Sequence, residues 1–168
     1  MSIEVNDESG FTPAPGLEEI TRLAVYVLDQ MRVHPQAELN VLLVDEAAME
    51  RLHIEWMDLE GPTDVLSFPM DELRPAPVNE EPREGVLGDI VVCPQVAARQ
   101  ALAVGHSTAE EILLLVTHGI LHLLGYDHAD DASKQEMFEL QRLLLLTFLA
   151  QRRGPGDPPV KAPEPTEN

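Results

Sequence analysis

The feature that most constrains this chain is an apolar run of 13 residues, Ile112 to Leu124, that carries two histidines. A membrane-spanning helix needs about 20 apolar residues, so the run is too short to cross a bilayer. Ser107-Thr-Ala-Glu110, just ahead of it, is a capping box, whose hydroxyl and carboxylate serve the free N–H groups of a helix start. Gly125, just behind it, can take the left-handed conformation that stops a helix. These signals predict a helix from 108 to about 124. A helix that is apolar on every side has to be wrapped on every side, which places this one at the centre of the fold.

The rest of the chain supplies the wrapping. Ser2 to Val5 reads as a short strand. Leu17 to Val33 reads as an amphipathic helix, with Leu17, Ile20, Leu23, Ala24, Val27, Leu28 and Met31 at three-and-four spacing. Leu39 to Val44 is a second strand, and helical spacing returns from Glu46 to Met57. Asp64 to Phe68 is a third strand, opened by the turn residues Gly61-Pro62-Thr63. Pro75, Pro77 and Pro82 then stand among five acidic residues over 71–87, which marks a surface loop. Gly88 to Cys93 is a fourth strand. Pro94 suits the first residue of a helix that runs to about Val104. A last helix is predicted from Ala132 to Arg152, with Met137, Leu140, Leu144 and Phe148 on one face. The expected class is α/β (α+β): a small mixed sheet of about four strands covered by about five helices, the histidine-bearing helix central. The first connection, made through a helix, suits parallel strands. Residues 1–152 are expected to form one domain. Residues 153–168 hold five prolines and little that is apolar, and read as a disordered tail.

Apolar residues make up 44% of the 168, enough for a true core. The formal net charge of −19, from 30 acidic and 11 basic residues, argues against a nucleic-acid coat or a binder of anionic membranes, which need a basic footprint. It leaves room for a local positive site. Cys93 is the one cysteine, so no intrachain disulfide can form, and a small buried residue is its expected role. The N-terminal residues, Met1-Ser-Ile-Glu-Val-Asn-Asp-Glu, lack the positive and apolar regions of a signal peptide. The expected address is the cytoplasm, with no membrane association.

The chemistry is concentrated in Thr117-His-Gly-Ile-Leu-His-Leu-Leu-Gly-Tyr-Asp-His128. His118 and His122, four apart, sit one turn apart on one helix face. If Gly125 stops the helix, the chain can turn back and bring His128 to the same point, so 11 residues offer three imidazoles. Three neutral histidines with a fourth position open to water form the donor set of a catalytic zinc, whereas structural zinc is usually closed by four protein ligands. One Zn2+ held by His118, His122 and His128 plus water is therefore expected. Burying two histidines in a leucine-rich helix needs such a reason, because unpartnered polar groups are costly there. Asp127 is open to two readings: a group that hydrogen-bonds a ligand or acts as a base, and a turn residue. Tyr126 reads as packing. His53 and His106 are expected to be exposed rather than ligands.

The ligand spacing equals that of the metzincin peptidases, His-Glu-x-x-His-x-x-Gly-x-x-His, but the glutamate that serves them as base is Gly119 here. A peptidase or amidase of that mechanism is disfavoured. The chain resembles the YbeY endoribonucleases in three blocks: His118-Gly-x-Leu-His-Leu-x-Gly-Tyr-Asp-His128, Pro62-Thr-Asp-Val-Leu-Ser-Phe-Pro69 and Leu87-Gly-Asp-Ile90. The resemblance covers about residues 2–150. It implies a mixed α/β fold with a zinc-binding helix, and it carries the three ligands over to His118, His122 and His128. It further implies a metal-dependent cut in single-stranded RNA during maturation of ribosomal RNA, in association with the small ribosomal subunit or its proteins. One departure stands out. The family commonly has an arginine five residues before the proline of the Pro-Thr-Asx block, and this chain has Met57, after Trp56. Arg51 and Arg74 are open to two readings, substitutes for that arginine and ordinary surface charges, the second being favoured. No general base is evident, and either water or the RNA 2′-hydroxyl can be the nucleophile. The alternatives are a zinc peptidase or amidase, and a non-enzymatic ribosome-assembly adaptor with structural zinc.

Overall fold

A computed structural model describes residues 2–59 and 61–152; the tail predicted to be disordered, 153–168, lies outside the described residues. The elements follow in the order β1 (Ser2–Asp7), α1 (Leu17–Gln30), β2 (Glu38–Leu43), α2 (Glu46–Met57), β3 (Val65–Pro69), β4 (Val86–Val92), α3 (Pro94–Val104), α4 (Thr108–Leu123) and α5 (Asp131–Arg152). The four strands form one mixed sheet in the order β1-β2-β4-β3. β1 and β2 are parallel, as are β2 and β4, while β3 runs antiparallel to β4. The five helices and four strands are those expected from the sequence. The main displacement is at α1, which stops at Gln30 rather than Val33: Arg32 takes a left-handed φ of 56°, and the chain leaves the helix there.

Alternation along the strands divides the apolar residues between the two faces of the sheet. Leu39, Val41 and Leu43 of β2 and Leu87, Ile90 and Val92 of β4 enter the main core with α1, α4 and α5. Val91 and Cys93 join Val44, Leu66 and Met49 in a smaller core beneath α2, with Phe68 packed against it. Cys93 is fully buried, as expected, and burial pushes its thiol up from the usual value.

α4 is buried on nearly every side, from Glu111 to Leu121 and again at Leu123. Its start is capped as the sequence predicts, the Ser107 hydroxyl accepting from the Glu110 N–H at 3.1 Å. Its middle lies close against the sheet. A Cβ on Gly119 would stand 2.9 Å from Ile90 Cγ2 and 3.1 Å from Ser67 Oγ, so a side chain there would push helix and sheet apart. The Ser67 hydroxyl, on β3, donates to the Gly119 carbonyl at 3.3 Å. The entry to β3 is held by Asp64, whose buried carboxylate accepts from the Val65 N–H at 2.7 Å, while its backbone carbonyl accepts from Cys93 N–H. Desolvation raises the Asp64 carboxyl above its ordinary value.

Gly88 sits beside the register shift between β2 and β4, with φ at 148°. A Cβ at this position would lie 2.3 Å from the Phe68 carbonyl oxygen, which is backbone and cannot move aside cheaply. Gly88→Ala is expected to destabilise the protein by more than about 1 kcal/mol, measured as a lower urea midpoint with an unchanged slope.

Candidate metal centre

The end of α4 shapes the site. Gly125, at φ 100°, donates its N–H to the His122 carbonyl at 3.0 Å, and the Tyr126 N–H reaches back to the Leu121 carbonyl at 3.0 Å. This pair of bonds is a Schellman motif, which satisfies the last carbonyls of a helix while reversing the chain. The reversal returns His128 to the face that carries His118 and His122. The imidazole centroids are 4.7 Å apart for His118 and His122, 5.3 Å for His122 and His128, and 5.6 Å for His118 and His128. One ring nitrogen from each lies within 4.8 Å of the others, a triangle that can close on one metal ion.

The donor chemistry fits such an ion. His118 is 4% exposed, and burial, helped by the neighbouring imidazoles, lowers its pKa to about 4. Burial also lowers His122, with His128 adding to the effect. Neutral imidazoles offer a lone pair with no proton to displace. The Gln141 Oε1 of α5 accepts from His118 Nδ1–H at 2.8 Å, which leaves Nε2 as the free donor and holds the ring plane. Phe138, one turn earlier on α5, packs its ring 6.1 Å from those of His118 and His128, centroid to centroid. Among the described residues the cluster holds three donors and no fourth.

The family model described as Endoribonuclease YbeY matches residues 3–149. The chain is 63% identical to Endoribonuclease YbeY of Kineococcus radiotolerans over 94% of its own length and 92% of the relative's. It is 62% identical to that of Beutenbergia cavernae, over 90% of this chain and all of the relative. The solution structure of TM1509 from Thermotoga maritima superposes with a TM-score of 0.59 at 27% identity, covering 93% of this chain and 99% of that one. The chain belongs to the YbeY endoribonuclease family.

The remaining candidates fall outside the histidine triangle. The Asp127 carboxylate accepts from the Ala129 N–H at 3.2 Å, so it serves the turn. Tyr126 packs against the main core. His53 is half-buried rather than exposed and bonds through Nδ1 to the Gly61 carbonyl at 2.9 Å. His106 is likewise not free in solvent: its side chain is 9% exposed and meets the fully buried Glu111 carboxylate at 3.1 Å. An acid inside the apolar helix demanded a partner, and the histidine before the cap provides it. Met57, where the YbeY family commonly has arginine, is 56% exposed at the end of α2, beside Trp56. Arg51 is exposed on α2. Arg74 lies across the turn that ends α4: a Cβ on Gly125 would meet its Nε at 2.6 Å and its Cζ at 2.8 Å.

Sequence reasoning missed Gln141 and Phe138. Gln141 had a signal, since a glutamine interrupts the apolar stripe between Met137 and Leu144; in the structure it is 2% exposed. Gln141→Ala leaves all three donors in place but frees the His118 ring. Zinc affinity is expected to fall about 10- to 100-fold, measured by competition with a chromogenic chelator.

Proposed function

We propose that the chain is a zinc-dependent endoribonuclease that cuts single-stranded RNA in the maturation of ribosomal RNA, at the 3′ end of 16S, and in ribosome quality control. The observation that carries the reading is the convergence of His118, His122 and His128 at the end of a buried helix, with Gln141 orienting the first of them, in a chain whose relatives are named endoribonucleases. Zinc held by these histidines would supply a Lewis acid for charge developing on a phosphoryl oxygen. The chain's own part is to favour neutral His118 and His122 by burial, to fix His118 through Gln141, and to place Arg74 against the turn as a cation for phosphate. Its site of action on this reading is the cytoplasm, with the small ribosomal subunit or its proteins as partner. Among the described residues no helix is long and apolar enough to cross a membrane.

The Gly119 contact counts against the metzincin mechanism for a physical reason. A glutamate at that position would have to pass through Ile90 and Ser67. The lack of a fourth donor among the described residues speaks against a closed structural zinc.

With 30 acidic residues against 11 basic ones, contacts to free RNA have few cations to draw on. Binding to naked RNA is expected to be weak and to fall steeply with salt, the logarithm of affinity dropping by about 0.7 per phosphate contact for each decade of salt. The deciding experiment compares wild type and His118→Ala, purified in parallel, on a single-stranded RNA. Cleavage by wild type that chelation and the substitution both abolish is the expected result. Zinc-loaded wild type that never cuts, alone or with small subunits, would turn the reading toward the assembly adaptor. The product ends choose the nucleophile, since a 2′,3′-cyclic phosphate requires attack by the 2′-hydroxyl.

A further inference from the structure

α5 presents more to the site than Gln141. Lys134, Phe138 and Arg142 recur every four residues and so share one face of the helix. With Asp131, Gln135 and Glu139 they line a shallow cleft of about 340 Å³. Phe138, at its centre, is half-buried. On one side its ring approaches those of His118 and His128, each at 6.1 Å. The Lys134 ammonium stands 5.6 Å from the same ring. Arg142, a turn further on, is exposed and forms no ion pair among the described residues. In a chain with only 11 lysines and arginines, two of them bracket the one phenylalanine that touches the histidine triangle.

We propose that this face of α5 is a nucleobase-stacking subsite, in which Phe138 stacks on the base next to the scissile phosphate and Lys134 and Arg142 contact the phosphates on either side. The proposal rests on the endoribonuclease reading and specifies how the substrate is held. An aromatic ring between cations is the pattern by which proteins hold single strands, because every base has a π-face and the backbone passes the cations. Asp131 and Glu139 at the rim oppose phosphate, so the subsite depends more on stacking than on charge. It also gives a structural origin for a preference for single strands. A base inside a duplex is already stacked on both faces and cannot reach a side chain on a helix surface, whereas an unpaired base can.

The test uses the full chain loaded with zinc and a short single-stranded 2′-O-methyl oligonucleotide, with the same strand made abasic as its control. Phe138→Trp in a Trp56→Phe background places the only tryptophan at the subsite. Its fluorescence is expected to be quenched by the normal strand and not by the abasic one. In the otherwise native chain, Phe138→Ala should raise Kd for the normal strand about tenfold and leave the abasic strand unchanged, while Phe138→Tyr keeps wild-type affinity. Equal losses on both strands would show that Phe138 is only a wall of the site, and would overturn the subsite. So would a reporter that stays unquenched at saturation, or Phe138→Ala binding as tightly as wild type; cleavage by wild type would still stand in those cases. A wild type that neither binds nor cuts single-stranded RNA would overturn the subsite and the endoribonuclease reading together.

Discussion

The contact that seats the histidine-bearing helix is the approach of α4 to the sheet at Gly119. Three separate stretches of sequence meet there. Gly119 comes from the histidine block, Ser67 from the Pro62–Pro69 block and Ile90 from the Leu87–Ile90 block. Their contact sets how deeply α4 lies, and the depth of α4 sets the burial of His118. Gly88 and Asp64, from two of these blocks, serve the same surface. Gly88 lets β4 pass the Phe68 carbonyl, and Asp64 ties the start of β3 to the end of β4. Blocks that look like separate signatures along the chain are thus parts of one packing contact.

This contact also separates the site from the peptidases whose ligand spacing it shares. A metzincin needs a carboxylate on the residue after its first histidine, hence room beside the helix at that point. Here that room is occupied by Ile90 and Ser67. The same spacing of imidazoles has been placed against a sheet instead of an open cleft, and the neighbours of the donors come from α5.

Local signals made much of the structure legible from the sequence. The 3.6-residue periodicity, the capping serine at 107, Pro94 and Gly125 marked the helices, and the His-x3-His-x2-Gly-x2-His spacing brought the three imidazoles together because a Schellman turn is a local event. What stayed hidden depends on packing between distant elements. Gln141 is 23 residues from His118, and no periodicity states which ring it will meet. Ser67 lies 52 residues from Gly119, and nothing in its own block says that its hydroxyl will meet that carbonyl. His106 is expected to be exposed, but its side chain meets the buried Glu111 carboxylate five residues on, across the corner between α3 and α4. Strand order and the placing of α2 on the opposite face were likewise out of reach, since apolar alternation marks two faces without saying what covers each.

The Schellman turn has a consequence for how the centre is assembled. All three donors belong to one helix and the bend that ends it, so bringing them together closes a loop of only a few residues. The entropy of closure is small and grows by only about 0.6 kcal/mol per doubling of length. The triangle can therefore begin to form as soon as this hairpin of chain does, before the sheet is complete. The orientation of its rings cannot, because Gln141 arrives with α5, which is synthesised after the histidine turn. Crude affinity for a metal and a precisely poised centre are in this way separated in time, and a nascent chain still lacking α5 would hold the donors without the group that aims them.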